Sequence, residues 1–223
     1  HSEGLIHADI KPDNILMTVS ADDVYKGKPF NIYVGDLGSS TPSSDIFSYT
    51  VGTDEYIAPE IILDTKYTTA ADIWSAFVLC YELVTGDILF DAHNECSIDY
   101  GIDMGFEEDE SCEENEESDS DDDDEEINYQ LLKLMWRIIG PAPKSMTKHG
   151  RLYYNSRGQL KLDPELTSIS ISDLMKINYN FSEEECKQFE EFMLFGLQYS
   201  PKLRPTSKQV LEHPWMQITK IEN

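Results

Sequence analysis

His7-Ala8-Asp9-Ile10-Lys11-Pro12-Asp13-Asn14 is the stretch on which the reading of this chain turns. Polar residues are packed too densely in it for a strand, and Pro12 removes a backbone donor, so it reads as a loop. Within eight positions it offers carboxylates (Asp9, Asp13), an ammonium (Lys11) and an amide (Asn14). Taken alone, Asp-x-x-x-x-Asn is most often a turn, and Asp36-Leu37-Gly38 further on is most often a strand end. The order of the segments downstream carries more weight than either piece. Gly52-Thr53 is succeeded by Tyr56-Ile57-Ala58-Pro59-Glu60, then by Asp72-Ile73-Trp74-Ser75, and finally by Arg204 and His213-Pro214-Trp215.

Working outward, Ile15-Leu16-Met17 and Phe30 to Val34 read as strands of a small hairpin, joined by the polar connection Thr18 to Pro29. Asp36 to Glu60 is rich in Ser and Thr and shows no helical period. From Ala70 to Val84 apolar residues recur nearly all round the helix, with Thr68 or Thr69 as cap and Gly86 as stop, which predicts a buried central helix. Further helices are predicted over Tyr129 to Ile139, Cys186 to Leu197 behind the capping box Ser182-Glu183-Glu184-Glu185, and Thr206 to about Glu212. A small hairpin around Gly158 and a short helix are expected between Arg151 and Tyr179. Trp74, Trp215 and the methionines read as core packing.

The 223 residues carry a formal charge of −26, unevenly spread. Glu107 to Glu126 holds 15 of the acids, and the rest of the chain accounts for the remaining −11. That run is too charged and too poor in apolar residues to pack, and it is expected to be disordered. Such a surface repels nucleic acid and anionic membrane and attracts basic partners. The four cysteines (Cys80, Cys96, Cys112, Cys186) form no CxxC pair and no zinc spacing, which fits a reduced compartment, cytoplasmic or nuclear. No run approaches the length of a membrane span.

The loop matches the H-x-D-x-K-P-x-x-N form of the protein-kinase catalytic loop, and Asp36-Leu37-Gly38 stands where such kinases carry D-F-G. The whole chain resembles the C-terminal lobe of eukaryotic protein kinases, and within them the SR-protein kinases most closely. The finer likeness rests on the catalytic loop with its following connection, on Ala71-Asp72-Ile73-Trp74-Ser75, on Gly86-Asp87-Ile88-Leu89-Phe90 with Asp91 and His93, and on Tyr179 to Leu197. An insert between Gly140 and Ser182 is typical of the larger group that includes cyclin-dependent, MAP and CLK-type kinases. The His-Ala-Asp form of the loop is also similar to pre-mRNA-processing kinases.

The resemblance implies a mainly α, kinase-like C-lobe with a small β-hairpin element, an acidic disordered insert and no N-lobe. Its parts would be residues 1–98, an acidic insert over 99–126, and residues 127–223. No Gly-x-Gly-x-x-Gly loop and no Val-Ala-x-Lys strand occurs in the sequence, so the chain reads as a fragment, inactive by itself. ATP and Mg2+ are the implied cofactors. Asp9 would accept the hydroxyl proton, Lys11 would neutralise the γ-phosphate, and Asn14 and Asp36 would bind the metal. Thr53 would bridge Asp9 and Lys11, its presence favouring Ser or Thr as acceptor, and Leu16 would pack under the adenine. Glu60 and Arg204 would form a buried ion pair, and Asp72 would accept backbone N–H groups of the catalytic loop. Asp54, Glu55 and Asp87 would face substrate.

The implied partners are basic, arginine/serine-rich proteins linked to mRNA splicing, with no direct nucleic-acid or membrane contact and a monomeric protein. Three departures stand out. Ala8 replaces the usual Arg that binds an activation-segment phosphate. Asp54, Glu55 and Ile57 stand where SR-protein kinases carry basic residues. Of the docking-groove acids Asp87 is matched, while Gln130 and Arg137 replace others. Two readings stay open: a Ser/Thr kinase, or a catalytically incompetent module whose acidic run recruits basic proteins.

Overall fold

A computed structural model describes residues 1–43, 51–93, 121–161 and 167–217. Among these residues, four short strands and eight α-helices run in the order β1 (Leu5–Ile6), β2 (Ile15–Met17), α1 (Ala21–Tyr25), β3 (Ile32–Val34), β4 (Thr41–Pro42), α2 (Pro59–Ile62), α3 (Ala70–Thr85), α4 (Asp121–Ile139), α5 (Lys144–Thr147), α6 (Ile171–Asn178), α7 (Glu183–Gly196) and α8 (Ser207–Leu211). The sheets are two antiparallel pairs. β2 meets β3 with Leu16 opposite Tyr33, and β1 meets β4 with Ile6 opposite Thr41. The β2–β3 hairpin matches the expected one. The β1–β4 pair, two residues on each side, was not anticipated.

α3 is the axis of the core. Ala71, Ile73, Trp74, Phe77, Val78, Leu79 and Tyr81 are buried along it, and Gly86 ends it in the left-handed conformation. Burial is not complete all round: Leu83 is exposed near the C-terminal end. Thr69 occupies the N-cap position without a side-chain bond, and the Thr68 hydroxyl accepts from Ala70 N instead. α7 crosses this axis where Gly196 lies on the Phe77 ring, so close that a Cβ there would sit 2.2 Å from Phe77 Cδ2. Phe77 and Phe192 approach to 4.7 Å between ring centres, and Phe192 stacks on Trp215 at 4.4 Å. Each such ring contributes about 1.5–3 kcal/mol of apolar burial. The capping box at Ser182 and Glu185 is formed in both directions, and Thr206 with Gln209 repeats it at α8.

Two helices differ from the sequence expectation. α1 occupies the polar connection Thr18 to Pro29, where no helix was expected. Its N-cap Ser20 accepts from Asp23 N, with Asp22 and Asp23 in the first turn, and Lys28 Nζ lies 2.8 Å from Asp23 Oδ1, so local capping and pairing hold a helix of five residues with no buried side chain. α4 begins at Asp121, inside the acidic run and ahead of Tyr129, where the helix was expected to start. Leu131, Leu132, Leu134 and Met135 anchor it in the core. Extending an anchored helix backward adds a bond per residue without a new nucleation cost. Gln130 donates to Glu126 at 2.6 Å one turn back, supporting the acidic end. The rest of the expected acidic insert, residues 99–120 with Cys112, lies outside the described residues, as does Cys96. Around Gly158, Tyr154 and Leu160 pair antiparallel as expected. No helix among the described residues is long and apolar enough to cross a membrane.

Candidate active site

The loop of residues 7–14 is fixed from beneath by Asp72 in the first turn of α3. His7 N and Ala8 N each donate to one oxygen of that carboxylate at 2.8 Å. Burial pushes the Asp72 carboxyl up from its usual range, against the two backbone N–H groups, which pull it down. Ala8 is buried and left-handed (φ +67°), so the chain bends sharply just ahead of Asp9. Gly52 passes directly over this bend. A Cβ at Gly52, itself at φ +102°, would lie 2.9 Å from the Ala8 carbonyl oxygen, so glycine alone lets the two segments touch.

Asp9 is the centre of the cluster. Its Oδ1 accepts from Thr53 Oγ1 at 2.8 Å, and its Oδ2 accepts from Asn14 Nδ2 at 3.0 Å. Lys11 Nζ stands 3.3 Å from Oδ2 and donates to Thr53 Oγ1 at 2.8 Å. Thr53 thus bridges the carboxylate and the ammonium. The side chains of Asp9 and Lys11 are 12% and 25% exposed, sheltered but reachable. A hydroxyl beside such a carboxylate can be oriented and relieved of its proton, and the ammonium can neutralise an incoming anion.

Asp36 is delivered to this loop by a clamp that sequence reasoning missed. His7 Nε2 donates to Gly35 O at 2.8 Å, while His7 Nδ1 accepts from Asp9 N at 3.3 Å, and one tautomer serves both bonds. Gly35 N in turn donates to Asn14 O at 2.8 Å. The residue after this doubly held glycine is Asp36, left-handed at φ +53°, with Oδ1 accepting from Gly38 N. Both of Asn14's amide hydrogens go to Asp9, one to the carboxylate and one to the main-chain oxygen at 2.8 Å, leaving the amide oxygen for a cation. Asn14 and Asp36 are therefore the residues that could hold a divalent metal. Two hard oxygen donors suit Mg2+, which fills its octahedron with water and phosphate oxygens. No group of three or more His, Cys, Asp or Glu residues is placed to hold a metal among the described residues, in keeping with so sparse a donor set. Leu16 lies on β2 with 54% exposure, opposite the exposed Tyr33.

The segment carrying Thr53 is fastened to α3 at Tyr56. Ser75 Oγ donates to Tyr56 O at 2.7 Å, and the Tyr56 hydroxyl donates to Glu82. Burial first, then the Glu82 bond, drives that phenol far above its usual range. Four residues on, Glu60 meets Arg204 in a bidentate pair of 2.7 and 2.6 Å, with both side chains 0–1% exposed. Arg204 spends its other N–H groups on Ala70 O, Tyr199 O and Gln198 O, and lies 5.0 Å over the Trp74 ring. All five guanidinium donors are satisfied.

The three acids expected to face substrate are placed apart and are partly engaged. Asp54 and Glu55 lie on a 3-10 turn, with His93 Nε2 at 3.3 and 3.8 Å. His93 was not foreseen there. Asp87, just beyond α3, accepts from the Tyr179 hydroxyl, and burial together with that carboxylate pushes the phenol up to about 12. Gln130 and Arg137 bond within the lobe, Arg137 Nε to Thr167 O at 3.2 Å.

Comparison with known proteins agrees with this geometry. Residues 1–216 match the protein kinase domain family. "Serine/threonine-protein kinase SRPK" of Physarum polycephalum is 31% identical over 189 residues, which is 83% of this chain and 38% of that protein. "Serine/threonine-protein kinase SKY1" of Saccharomyces cerevisiae is 28% identical over 191 residues, 84% of this chain and 22% of that one. "SRSF protein kinase 3" of Mus musculus is 28% identical over 185 residues, 83% and 28% of the two chains. The chain thus spans well under half the length of these relatives. It belongs to the protein kinase domain family and is similar to the SR-protein kinases within it.

Proposed function

We propose that the protein is an ATP-dependent serine/threonine kinase of the SR-protein-kinase type, which phosphorylates serine in basic, arginine/serine-rich protein segments and is linked to mRNA splicing or processing. The observation that carries this reading is the convergence of Lys11, Asn14 and Thr53 on the single carboxylate of Asp9. Asp9 holds the acceptor hydroxyl in line and takes its proton as the oxygen bonds to the γ-phosphorus and the bond to the β,γ-bridging oxygen breaks. Lys11 neutralises the phosphate from one side, while Thr53 keeps ammonium and carboxylate in register. Asn14 and Asp36 hold Mg2+, which when bound offsets charge on the phosphate oxygens. Leu16 takes the adenine face.

Asp54 and Glu55 favour arginine or lysine near the acceptor and disfavour a neighbouring phosphoserine, by opposite- and like-charge contact. Asp87 adds a further acidic contact for a basic substrate. The protein works as a monomer in the cytoplasm or nucleus, without direct contact to nucleic acid. Radiolabel transfer to an arginine/serine peptide by the full-length protein tests the reading. Asp36→Ala should abolish transfer while the fold melts unchanged. Turnover kept within about tenfold would leave Asp36 with no part in metal binding and sink the assignment. Peptides with arginine, neutral and phosphoserine flanks, compared in Asp54→Asn/Glu55→Gln, test the substrate preference.

A further inference from the structure

Apart from the Asp9 cluster, the insert between α4 and α6 forms an open, solvent-facing cavity of about 610 Å3. Lys144, Lys148, Arg151 and Arg157 ring it, and Thr147 and Gly158 form part of its wall. The local chain builds this ring in two pieces. Lys144 and Lys148 lie one turn apart across α5 and so share a face. Arg157 comes from a tight turn in which Asn155 Oδ1 accepts from Arg157 N at 2.9 Å and from Gln159 N at 3.1 Å. That turn lies against α5, since a Cβ on Gly158 would be 2.6 Å from Thr147 Oγ1.

The chain has 17 lysines and arginines against 43 acids. Lys11, Lys28, Lys176, Lys187 and Arg204 form ion pairs, while Lys26, Lys66, Lys202 and Lys208 form none among the described residues, so what sets the next four apart is their convergence on one concavity. The four around this cavity are exposed and form no ion pair among the described residues. Four like charges at one concavity repel each other unless an anion joins them.

We propose that this cavity is a docking site for a phosphorylated peptide segment, the phosphate dianion seating among the four cations. Arginine forks match phosphate oxygens bidentately, and two lysines complete the neutralisation of a doubly charged group better than that of a single carboxylate. The cavity falls in the size range that takes a side chain with its flanking residues, rather than a bare ion. A long polyanion such as nucleic acid would meet the acidic remainder of a chain of net charge −26, whereas a short segment meets the cavity alone. The site does not depend on the phosphoryl-transfer reading, because none of its residues belongs to the Asp9 cluster.

The experiment is fluorescence anisotropy with the full-length protein and a labelled peptide bearing one phosphoserine between neutral residues. Its unphosphorylated form, inorganic phosphate and a single-stranded oligonucleotide serve as comparisons. The phosphopeptide should bind at least about tenfold more tightly than its unphosphorylated form, and Arg151→Glu/Arg157→Glu should cancel that margin. Both arginines are exposed, so the variant should fold, and Arg157→Gln should give a smaller loss in the same direction. Asp9→Asn should bind unchanged, which separates this site from the catalytic reading. Equal binding of the two peptides, or undiminished binding by the double variant, would overturn the proposal. So would inorganic phosphate or the oligonucleotide binding more tightly than the phosphopeptide.

Discussion

Thr53 and Glu60 stand seven positions apart on one segment, and the ionic assemblies they enter are built on opposite terms. Glu60 and Arg204 are dry, bidentate and saturated, with every guanidinium donor used within the lobe. Asp9 and Lys11 sit in partial contact with solvent at 3.3 Å, joined by a hydroxyl and not by a fork, and Asn14 keeps an amide oxygen in reserve. A pair with no unmet donor has nothing left to offer a ligand. A cluster held slightly apart, through a third residue, can open toward one. On the proposed function the first assembly serves stability and the second chemistry, although both contain one acid and one base.

Mutation should separate the two most clearly at the buried pair. Arg204→Met leaves the Glu60 carboxylate uncompensated at 1% exposure and should cost about 3–5 kcal/mol of stability. For a lobe of this size that is a fall of roughly 10 °C in melting temperature. Adding Glu60→Gln in the same protein should recover part of the loss, since the stranded charge is gone. Melting curves of the single and double variants that coincide with the parent would erase the contrast.

Asp9→Asn should show the reverse pattern. Loss of the proton acceptor should lower kcat by about 10²- to 10⁴-fold. The melting point should move only by what one or two partly exposed hydrogen bonds are worth, about 1 kcal/mol. A variant that loses activity because it unfolds would place Asp9 with Glu60 as a structural acid.

Much of this contrast was legible in the sequence, and the reasons it was are local. The loop of residues 7–14 is contiguous, so its carboxylates, ammonium and amide stand within eight adjacent positions. α3 announces itself by its apolar run and its Gly86 stop, and α7 by its capping box. What escaped reading depends on residues brought together across the chain. β1 and β4 are two residues each and carry no period. His7 reaches Gly35, and His93 reaches Asp54, through packing alone. The four cations of the insert are spread over fourteen positions with no spacing that marks a site. The start of α4 was misplaced because composition weighs charge without weighing the anchored turns just beyond it.

Thr53 tests the middle ground, being the link that keeps the second assembly apart. Thr53→Ala removes both its bonds and lets Lys11 close on Asp9, which should lower kcat about tenfold through the loss of about 1–1.5 kcal/mol of positioning. KM for the peptide should change little, and Thr53→Ser, which keeps the hydroxyl, should restore most of the rate. A Thr53→Ala enzyme with normal kcat would mean that the ammonium and carboxylate hold their own register.

The smallest effect is expected from removing phosphate from the activation segment. A phosphate there acts by drawing a guanidinium out of the catalytic loop, and the loop has Ala8 in that place, buried and left-handed. The loop's one cation, Lys11, is committed to Asp9 and Thr53, and Arg204 has no donor left. The segment's early part is held without help from a phosphate: Ile6 pairs with Thr41 across β1 and β4, and Ser43 N donates to Gly4 O at 2.7 Å. Of the hydroxyls that could be modified, Ser39, Ser40, Thr41 and Ser43 lie in this held stretch, while Ser44, Ser48 and Thr50 lie outside the described residues. Phosphatase treatment of the active full-length protein should therefore leave the peptide rate within about twofold, as expected where no charge-assisted bond is lost. A tenfold fall that mass spectrometry traces to one of these seven residues would show that a cation elsewhere takes the role the loop arginine has in other kinases. It would also make the Asp9 assembly conditional on modification, and the division between a fixed ion pair and a self-sufficient working cluster would fail on its second half.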